Sequence, residues 1–508
     1  MNQFLTLIQV VFPVLFPIVC GLVLFFYQKK ITSKERRNQG ILAVLVIQLL
    51  FVIVAWQRKN QEVIFWNLTK DIPVLFKIDA MSILFTGLLN IIWILVGIFS
   101  FEYMKHEEET EYIEEHTRSL SGATFYAFYL MVLGVMTGVG FAGNLVTFYL
   151  FYEFMTLLSM PFVLHTMTKE AIFAAKKYLF YSIAGASFAL FGFAFLYSLG
   201  GSIQFLEGGI FHTGLPSGKE GILLLSAFFM IVGFGTKAGL FPMHAWLPSA
   251  HPVAPAPASA VLSGVITKTG VLGIIRVVFY LFGIEVLSGT WVQYAFLSLA
   301  LITVFMGSML AYKETVLKKR LAYSTVSQVS YILFGIAVMH PVALIGSLLH
   351  IVCHSIIKCT LFLDAGAIIY KTGKTKVKEL VGIGKEMPVT MWTFTIASLG
   401  LVGIPPMCGF ISKWYLCQGA LECGIAVVKY IGPAILLISA LLTAGYLFSI
   451  VIMGFFPGET FDYTSLKKQK LALCMFTPLV AFAILIVFFG VWPESLLSMF
   501  AQLEGLLF

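Results

Sequence analysis

Apolar runs long enough to cross a membrane recur from one end of this chain to the other, beginning with FLTLIQVVFPVLFPIVCGLVLFFY at 4–27. A stretch of about 18 or more apolar residues spans hydrocarbon as a helix, because only a helix pairs all its own backbone groups there. The runs are continuous and do not alternate between two faces, so a membrane β-barrel is excluded. Of 508 residues, 59% are hydrophobic and 11% charged. Soluble domains carry about 25% charged residues, so this chain has too few to cover a surface in water. Disorder, collagen, disulfide scaffolds and soluble Rossmann or barrel enzymes are excluded with it. The expected fold class is an all-α polytopic membrane protein.

About 14 spans are expected, near 4–27, 41–56, 80–101, 122–140, 144–164, 177–199, 221–241, 256–282, 290–312, 321–339, 342–370, 388–416, 430–456 and 471–492. No basic residue precedes the first run, so it reads as a retained helix, not a cleaved signal. With both termini outside, the cytoplasmic loops hold Lys29, Lys30, Lys34, Arg36, Arg37, Lys105, Arg118, Lys169, Lys176, Lys313, Lys318, Lys319, Arg320 and the basic residues of 371–385 and 467–470. Only Arg58, Lys59, Lys70, Lys77, Lys219 and Lys429 fall outside. That asymmetry is what the positive-inside rule requires, and the acidic run 107–115 weighs little against it. The net charge of +8 is thus spent on orientation in the cell (cytoplasmic or inner) membrane. No basic, aromatic-interleaved soluble segment exists to bind nucleic acid. The loops are too short for a cofactor domain, so 1–508 reads as a single membrane domain. The seven cysteines form no C-x-x-C pair, and read as small buried hydrophobes, not as a cluster or zinc site.

Six basic residues fall within spans: Lys177, Lys237, Lys268, Arg276, Lys358 and Lys413. Each costs about 2.5–3.5 kcal/mol at a helix centre. Glu153, in LVTFYLFYEFMTLLSMPF, is the clearest carboxylate within a span. A Glu and a Lys facing each other set each other's proton affinity, so such a pair can load and release a proton. The alternative reading is salt-bridge staples or snorkelling side chains, and Lys177 and Arg276 lie nearest the span ends. His350, His354 and Lys358 occupy i, i+4 and i+8, a stripe over roughly 12 Å of one helix face. It resembles a proton relay. A metal site would need a third ligand, and none is evident.

Two spans are interrupted. Pro242 follows Lys237, and Pro405 and Pro406 precede Lys413. Proline removes a donor and clashes with the preceding turn, so both helices should break where buried protein or a hydrated cavity takes over. Both breaks read G-x-x-P-M, at Gly239–Met243 and Gly403–Met407. Paired broken helices point to an inverted-repeat transporter. A second match, KKYLFYS (Lys176–Ser182) with KKRLAYS (Lys318–Ser324), falls on spans that such a repeat would not superpose, and reads as coincidence.

The segments KKYLFYSIAGASFALFG, GFGTKAGLFPMHAWLPSAHPVAPAPASAVLSGVITKTGVLGIIR, KKRLAYSTVSQVSYILFG, HIVCHSIIKCTLFLDAGA and GIPPMCGFISKW together resemble the antiporter-like subunits shared by respiratory complex I, group 4 membrane-bound hydrogenases and Mrp-type Na⁺/H⁺ antiporters. The resemblance implies inverted repeats over helices 4–8 and 9–13, with helices 7 and 12 broken. It divides the chain into a three-helix segment at 1–120, repeats at 121–282 and 290–456, and a C-terminal helix at 457–508. By the same resemblance the ion-translocating residues are Glu153, Lys177, Lys237, Lys268, His350, His354, Lys358 and Lys413. Asp364 stands where relatives carry small or apolar residues, and is expected to perturb Lys358. Lys413 and the chain length favour a D-like Mrp or hydrogenase subunit over the largest such subunit of complex I.

The function expected is a proton-translocating, or proton- and Na⁺-translocating, subunit of a redox-driven respiratory or hydrogenase complex. Protons would reach Lys237, pass through Lys268 to His354, His350 and Lys358, and leave by Lys413. The chain itself has no flavin, nucleotide, haem or cluster motif, and no redox catalysis of its own is expected. Iron–sulfur clusters and nickel–iron or flavin belong to partner subunits, among them further antiporter-like chains and a peripheral redox arm. The alternatives are a D-like subunit of an Mrp Na⁺/H⁺ antiporter without electron transfer, an inert membrane scaffold and, more remotely, a solute transporter.

Overall fold

The computed structural model describes residues 2–30, 33–70, 72–111, 120–199, 202–211, 214–458, 461 and 468–508. The readings that fell on Arg118, Lys467 and residues 112–115 of the acidic run lie outside what is described.

Seven long helices come first: α1 (Asn2–Tyr27), α2 (Lys34–Trp56), α3 (Ala80–Glu111), α4 (Gly122–Phe141), α5 (Leu145–Leu164), α6 (Lys169–Ser198) and α7 (Glu220–Ala238). After the short α8 (Leu247–Val253) come α9 (Ala256–Phe282), α10 (Trp291–Lys313), α11 (Leu317–Val338) and α12 (Pro341–Thr372). The chain closes with α13 (Pro388–Val402), α14 (Cys408–Glu422), α15 (Ala426–Phe455), α16 (Leu473–Val491) and α17 (Glu494–Leu507). Among the described residues, 13 helices are long and apolar enough to span a membrane. The expected span at 388–416 is instead two shorter helices, the apolar α13 and, beyond the proline break, α14.

Polar caps set several starts: Asn144 Oδ1 accepts from Thr147 N–H at 2.8 Å, and Thr168 Oγ1 from Ala171 N–H at 3.2 Å. Burial then sorts the helices. α9 is buried along its whole length, and α4, α11 and α12 nearly so. The outer helices turn large apolar side chains such as Phe173, Phe180, Tyr430 and Leu441 outward, as lipid-facing helices do. The buried helices therefore carry the polar side chains, where protein groups can satisfy them.

One element was not anticipated. The loop between α2 and α3 is an antiparallel hairpin, β1 (Glu62–Thr69) with β2 (Ile72–Lys77). It docks on the α4–α5 turn through Gly143 N–H to Leu75 O (2.9 Å) and Leu75 N–H to Thr147 Oγ1 (2.8 Å).

Of the two alternatives read for Arg276, a salt-bridge staple or a snorkelling side chain, the structure shows the salt bridge. The Arg276 guanidinium is buried and grips the Asp79 carboxylate with both terminal nitrogens, Nη2 to Oδ1 at 3.0 Å. The π-electron faces of Tyr280 and Phe205 cover it at 4.3 and 5.1 Å. This bidentate pair ties the start of α3 to the end of α9. A charge near a span end snorkels only when no buried partner is offered, and Asp79 is far away in sequence.

Candidate functional site

The first broken helix ends at Ala238, where Gly239 adopts φ +81°, a left-handed cap open to glycine without strain. Trp246 Nε1–H, beyond the break, donates at 2.8 Å to the buried Thr236 carbonyl, which also accepts from Gly239 N–H at 3.2 Å. Lys237 sits in the last turn before the break, 1% exposed. All three of its ammonium protons are used, on Thr156 Oγ1 (3.0 Å), Tyr178 OH (2.9 Å) and Ser182 Oγ (2.9 Å). Close helix approach makes this reach feasible. A Cβ on Gly270 of α9 would lie 2.4 Å from Phe234 O and 3.0 Å from Lys237 Cβ.

Glu153 stands one turn before Thr156 on α5. It does not touch Lys237 as expected; Thr156 holds that place, and Glu153 Oε1 is buried without a hydrogen-bond partner. Lys177, on α6, is only half buried and reaches across to Ser249 Oγ on α8 at 3.0 Å.

α9 widens into π turns at Leu262–Ile266 and Arg276–Phe282, a deviation frequent at functional sites. At the first, the Ser263 carbonyl accepts from both Thr267 Oγ1 (2.9 Å) and Lys268 Nζ (2.6 Å). Lys268 Nζ also meets His354 Nδ1 at 2.7 Å, joining α9 to α12. The His354 and His350 rings are 5.9 Å apart, and His350 Nδ1 meets Ser412 Oγ on α14 at 2.8 Å. The His350 ring also stacks on Tyr331, whose ring lies 4.9 Å beneath Lys413 Nζ.

Lys413 follows the second break. α13 ends at Val402, Gly403 adopts φ +91°, and Lys413 Nζ donates to the orphaned carbonyls of Leu401 (2.6 Å) and Val402 (3.0 Å). A cation at a helix C-terminus meets both unpaired oxygens and the negative dipole end. The two breaks thus hold their lysines differently, one on side-chain hydroxyls and one on main-chain carbonyls.

Lys358 leaves the histidine line. Its Nζ donates to Leu321 O (2.9 Å) and to Ser324 Oγ on α11. This changes the standing of KKYLFYS and KKRLAYS: the final serine of each, Ser182 and Ser324, accepts a bond from a buried lysine. The two segments thus share one local contact. Asp364 also departs from expectation. It accepts from Thr393 Oγ1 on α13 at 2.7 Å, away from Lys358, with Oδ2 buried and unpaired.

His251 is a residue that counting charged side chains misses. It is fully buried on α8, stacked 4.7 Å from Phe362, and neither ring nitrogen has a partner. Phe362 in turn lies 5.9 Å from Lys358 Nζ. Its place beside the proline break was the available signal. Among the described residues no group of three or more His, Cys, Asp or Glu side chains could hold a metal.

A bundle with two broken helices and a line of buried lysines and histidines between them is the build of an ion-translocating membrane subunit. The NADH:quinone oxidoreductase/Mrp antiporter transmembrane family model matches residues 142–443, and that of the complex I chain 5 N-terminus matches 67–112. NADH-quinone oxidoreductase subunit N of Desulforudis audaxviator is 32% identical over 398 residues, 76% of this chain and 77% of that one. The D-type subunit of the Na⁺/H⁺ antiporter of Alkalihalophilus pseudofirmus is 28% identical over 483 residues, 94% and 93% of the two chains. A chain of the Mrp complex from Dietzia sp. shares the fold, with TM-score 0.82 over 98% of this chain and 97% of that one at 21% identity. The protein belongs to the NADH:quinone oxidoreductase/Mrp antiporter family: it is an antiporter-like, ion-translocating, multi-pass membrane subunit.

Proposed function

We propose that this chain translocates protons as one membrane subunit of a larger complex driven by electron transfer in partner subunits. The observation that carries the reading is the line of buried groups that runs from Lys268, bonded to His354 Nδ1, to the His350 ring 5.9 Å further on, whose Nδ1 meets Ser412 Oγ next to Lys413 in sequence; the Nε2 atoms of both histidines are buried without a hydrogen-bond partner. Lys237, held by three hydroxyls, loads from the Glu153 side, with Lys177 at the outer margin. Lys268 passes the charge to His354 and His350, and Lys358 and His251 exchange with this line. Lys413 releases it at the second break. Hydration of the breaks at Pro242 and at Pro405–Pro406 gates the two ends. The segments 121–282 and 290–456 act as inverted repeats around this line, and both termini lie outside the cell membrane, a reading that the basic loops support.

Moving one charge against 100 mV costs about 2.3 kcal/mol, so a driver is needed. The identity with a quinone oxidoreductase subunit over three quarters of the chain supports an electron-transfer driver, with the clusters, nickel–iron or flavin in partners. The match to the D-type antiporter chain over nearly the full length of both proteins favours the second reading, a component of an Mrp-type Na⁺/H⁺ antiporter. Purifying the intact assembly in mild detergent and identifying its subunits by mass separates them: redox subunits for the first, only small polytopic subunits for the second. Within either, Glu153→Gln should abolish pumping in reconstituted vesicles while assembly is unchanged. Wild-type pumping in that variant would refute the route.

A further inference from the structure

Away from the ion route, α1 and α2 frame a cavity of about 560 Å³ that opens to the lipid-facing side. Its walls are apolar, with Val23 on α1, Val44 on α2 and Leu130 of α4 behind them. Its rim, where α1 gives way to α2, carries Lys30, Ser33, Arg36 and Arg37. Lys30 and Arg36 are exposed; Arg37 is 9% exposed, with its guanidinium 5.2 Å from the Tyr126 ring. Glu35, the acidic residue of the same turn, does not line the cavity.

Two further features set the chemistry of a ligand here. The apolar run of α1 stops at Tyr27 and that of α2 begins at Gly40, so the rim sits just beyond the apolar stretch of both helices, at headgroup level. The rim also faces the first turn of a 23-residue helix, whose cap Ser33 takes Arg36 N–H at 3.4 Å. The other first-turn N–H groups of such a helix favour an anion. A soluble anion would leave the apolar walls in contact with nothing it can use. A neutral lipid or an apolar helix would leave the basic rim unmatched.

We infer that this cavity binds one anionic phospholipid. Its phosphate lies between Lys30 and Arg36 at the start of α2, and one acyl chain runs along Val23 and Val44.

The test uses the full-length chain in mild detergent, titrated with phosphatidylglycerol, phosphatidylcholine or inorganic phosphate, with bound lipid read by native mass spectrometry. A basic side chain near a phospholipid surface is worth about 1 kcal/mol, or roughly fivefold in affinity. Lys30→Gln should therefore weaken phosphatidylglycerol about fivefold, and Lys30→Gln with Arg36→Gln roughly 25-fold. Phosphatidylcholine should bind the wild type at least tenfold more weakly and ignore both substitutions. Val44→Trp, which fills the groove, should block the lipid without lowering the melting temperature. Equal binding of the two lipids, or wild-type phosphatidylglycerol affinity in the double variant, overturns the inference. So does full competition by inorganic phosphate, which would leave an anion site with no role for the acyl chain.

Discussion

Replacing His354 tests the route at its narrowest point. Lys268 has two hydrogen-bond partners, the Ser263 carbonyl at 2.6 Å and His354 Nδ1 at 2.7 Å. Only the second leads out of α9. His354→Leu removes that acceptor and the next carrier together. A hydrogen bond to a charged group contributes about 1.5–3 kcal/mol, so the Leu variant should lose that much stability. His354→Gln keeps an oxygen within reach of Lys268 but cannot carry a proton, and should stay within about 1 kcal/mol of wild type. A positioned proton carrier accelerates transfer about 10²–10⁴-fold. Both variants should therefore translocate at about one hundredth of the wild-type rate or less, although only one is destabilised. The assay is dye-reported acidification of vesicles holding the intact complex, with thermal melting in detergent alongside. A Gln variant that pumps at more than half the wild-type rate would refute the lateral route, because the bond to His354 is the one hydrogen bond of Lys268 that leads to α12.

Breaking the buried Arg276–Asp79 pair by Arg276→Met or Asp79→Leu should cost about 3–5 kcal/mol, and the double variant should recover most of it; melting of the three proteins checks this. Ser182→Ala and Ser324→Ala each take one acceptor from a buried lysine, and should slow translocation more than Ser→Thr at the same site, measured in the vesicle assay. Gly239→Val places a β-branched residue at φ +81° with its Cβ 2.6 Å from Leu247 Cδ1. It should destabilise the protein by about 1–2 kcal/mol or more and impair pumping, whereas Gly221→Val, in open space on the same helix, should do neither.

Much of the architecture was legible because lipid imposes it. Long apolar runs have one folded form in hydrocarbon, so the helices could be placed by inspection. The G-x-x-P-M segments announced both interruptions, since proline cannot continue a helix and a left-handed glycine can end one. The hairpin at Glu62–Lys77 was not legible; its strands are too short and mixed to stand out between two spans, and they form only because the α4–α5 turn offers partners. Glu153 and Lys237 could be picked out as costly charges, but that Lys237 is held by hydroxyls and not by Glu153 could not. The hydroxyls of Thr156, Tyr178 and Ser182 come from two other helices; Tyr178 and Ser182 lie in KKYLFYS, but nothing along the chain says which lysine they meet.

Arg276 and His251 show where reading along the chain stops. A basic residue near a span end and a histidine among prolines have ordinary local explanations. Their roles depend on Asp79 and Phe362, which lie far off in sequence and meet them only after the bundle closes. The amino-acid sequence by itself determined that this chain lives in a membrane, roughly where its long apolar helices lie, where two helices break and which family it joins, because each follows from apolar length, proline chemistry or a continuous motif. Tertiary structure alone decided that Lys268 meets His354, that Lys358 turns to Ser324, and that Lys413 caps a broken helix. In a bundle the partner of a buried charge is set by which helix faces lie together, and that is a property of packing, not of any one segment.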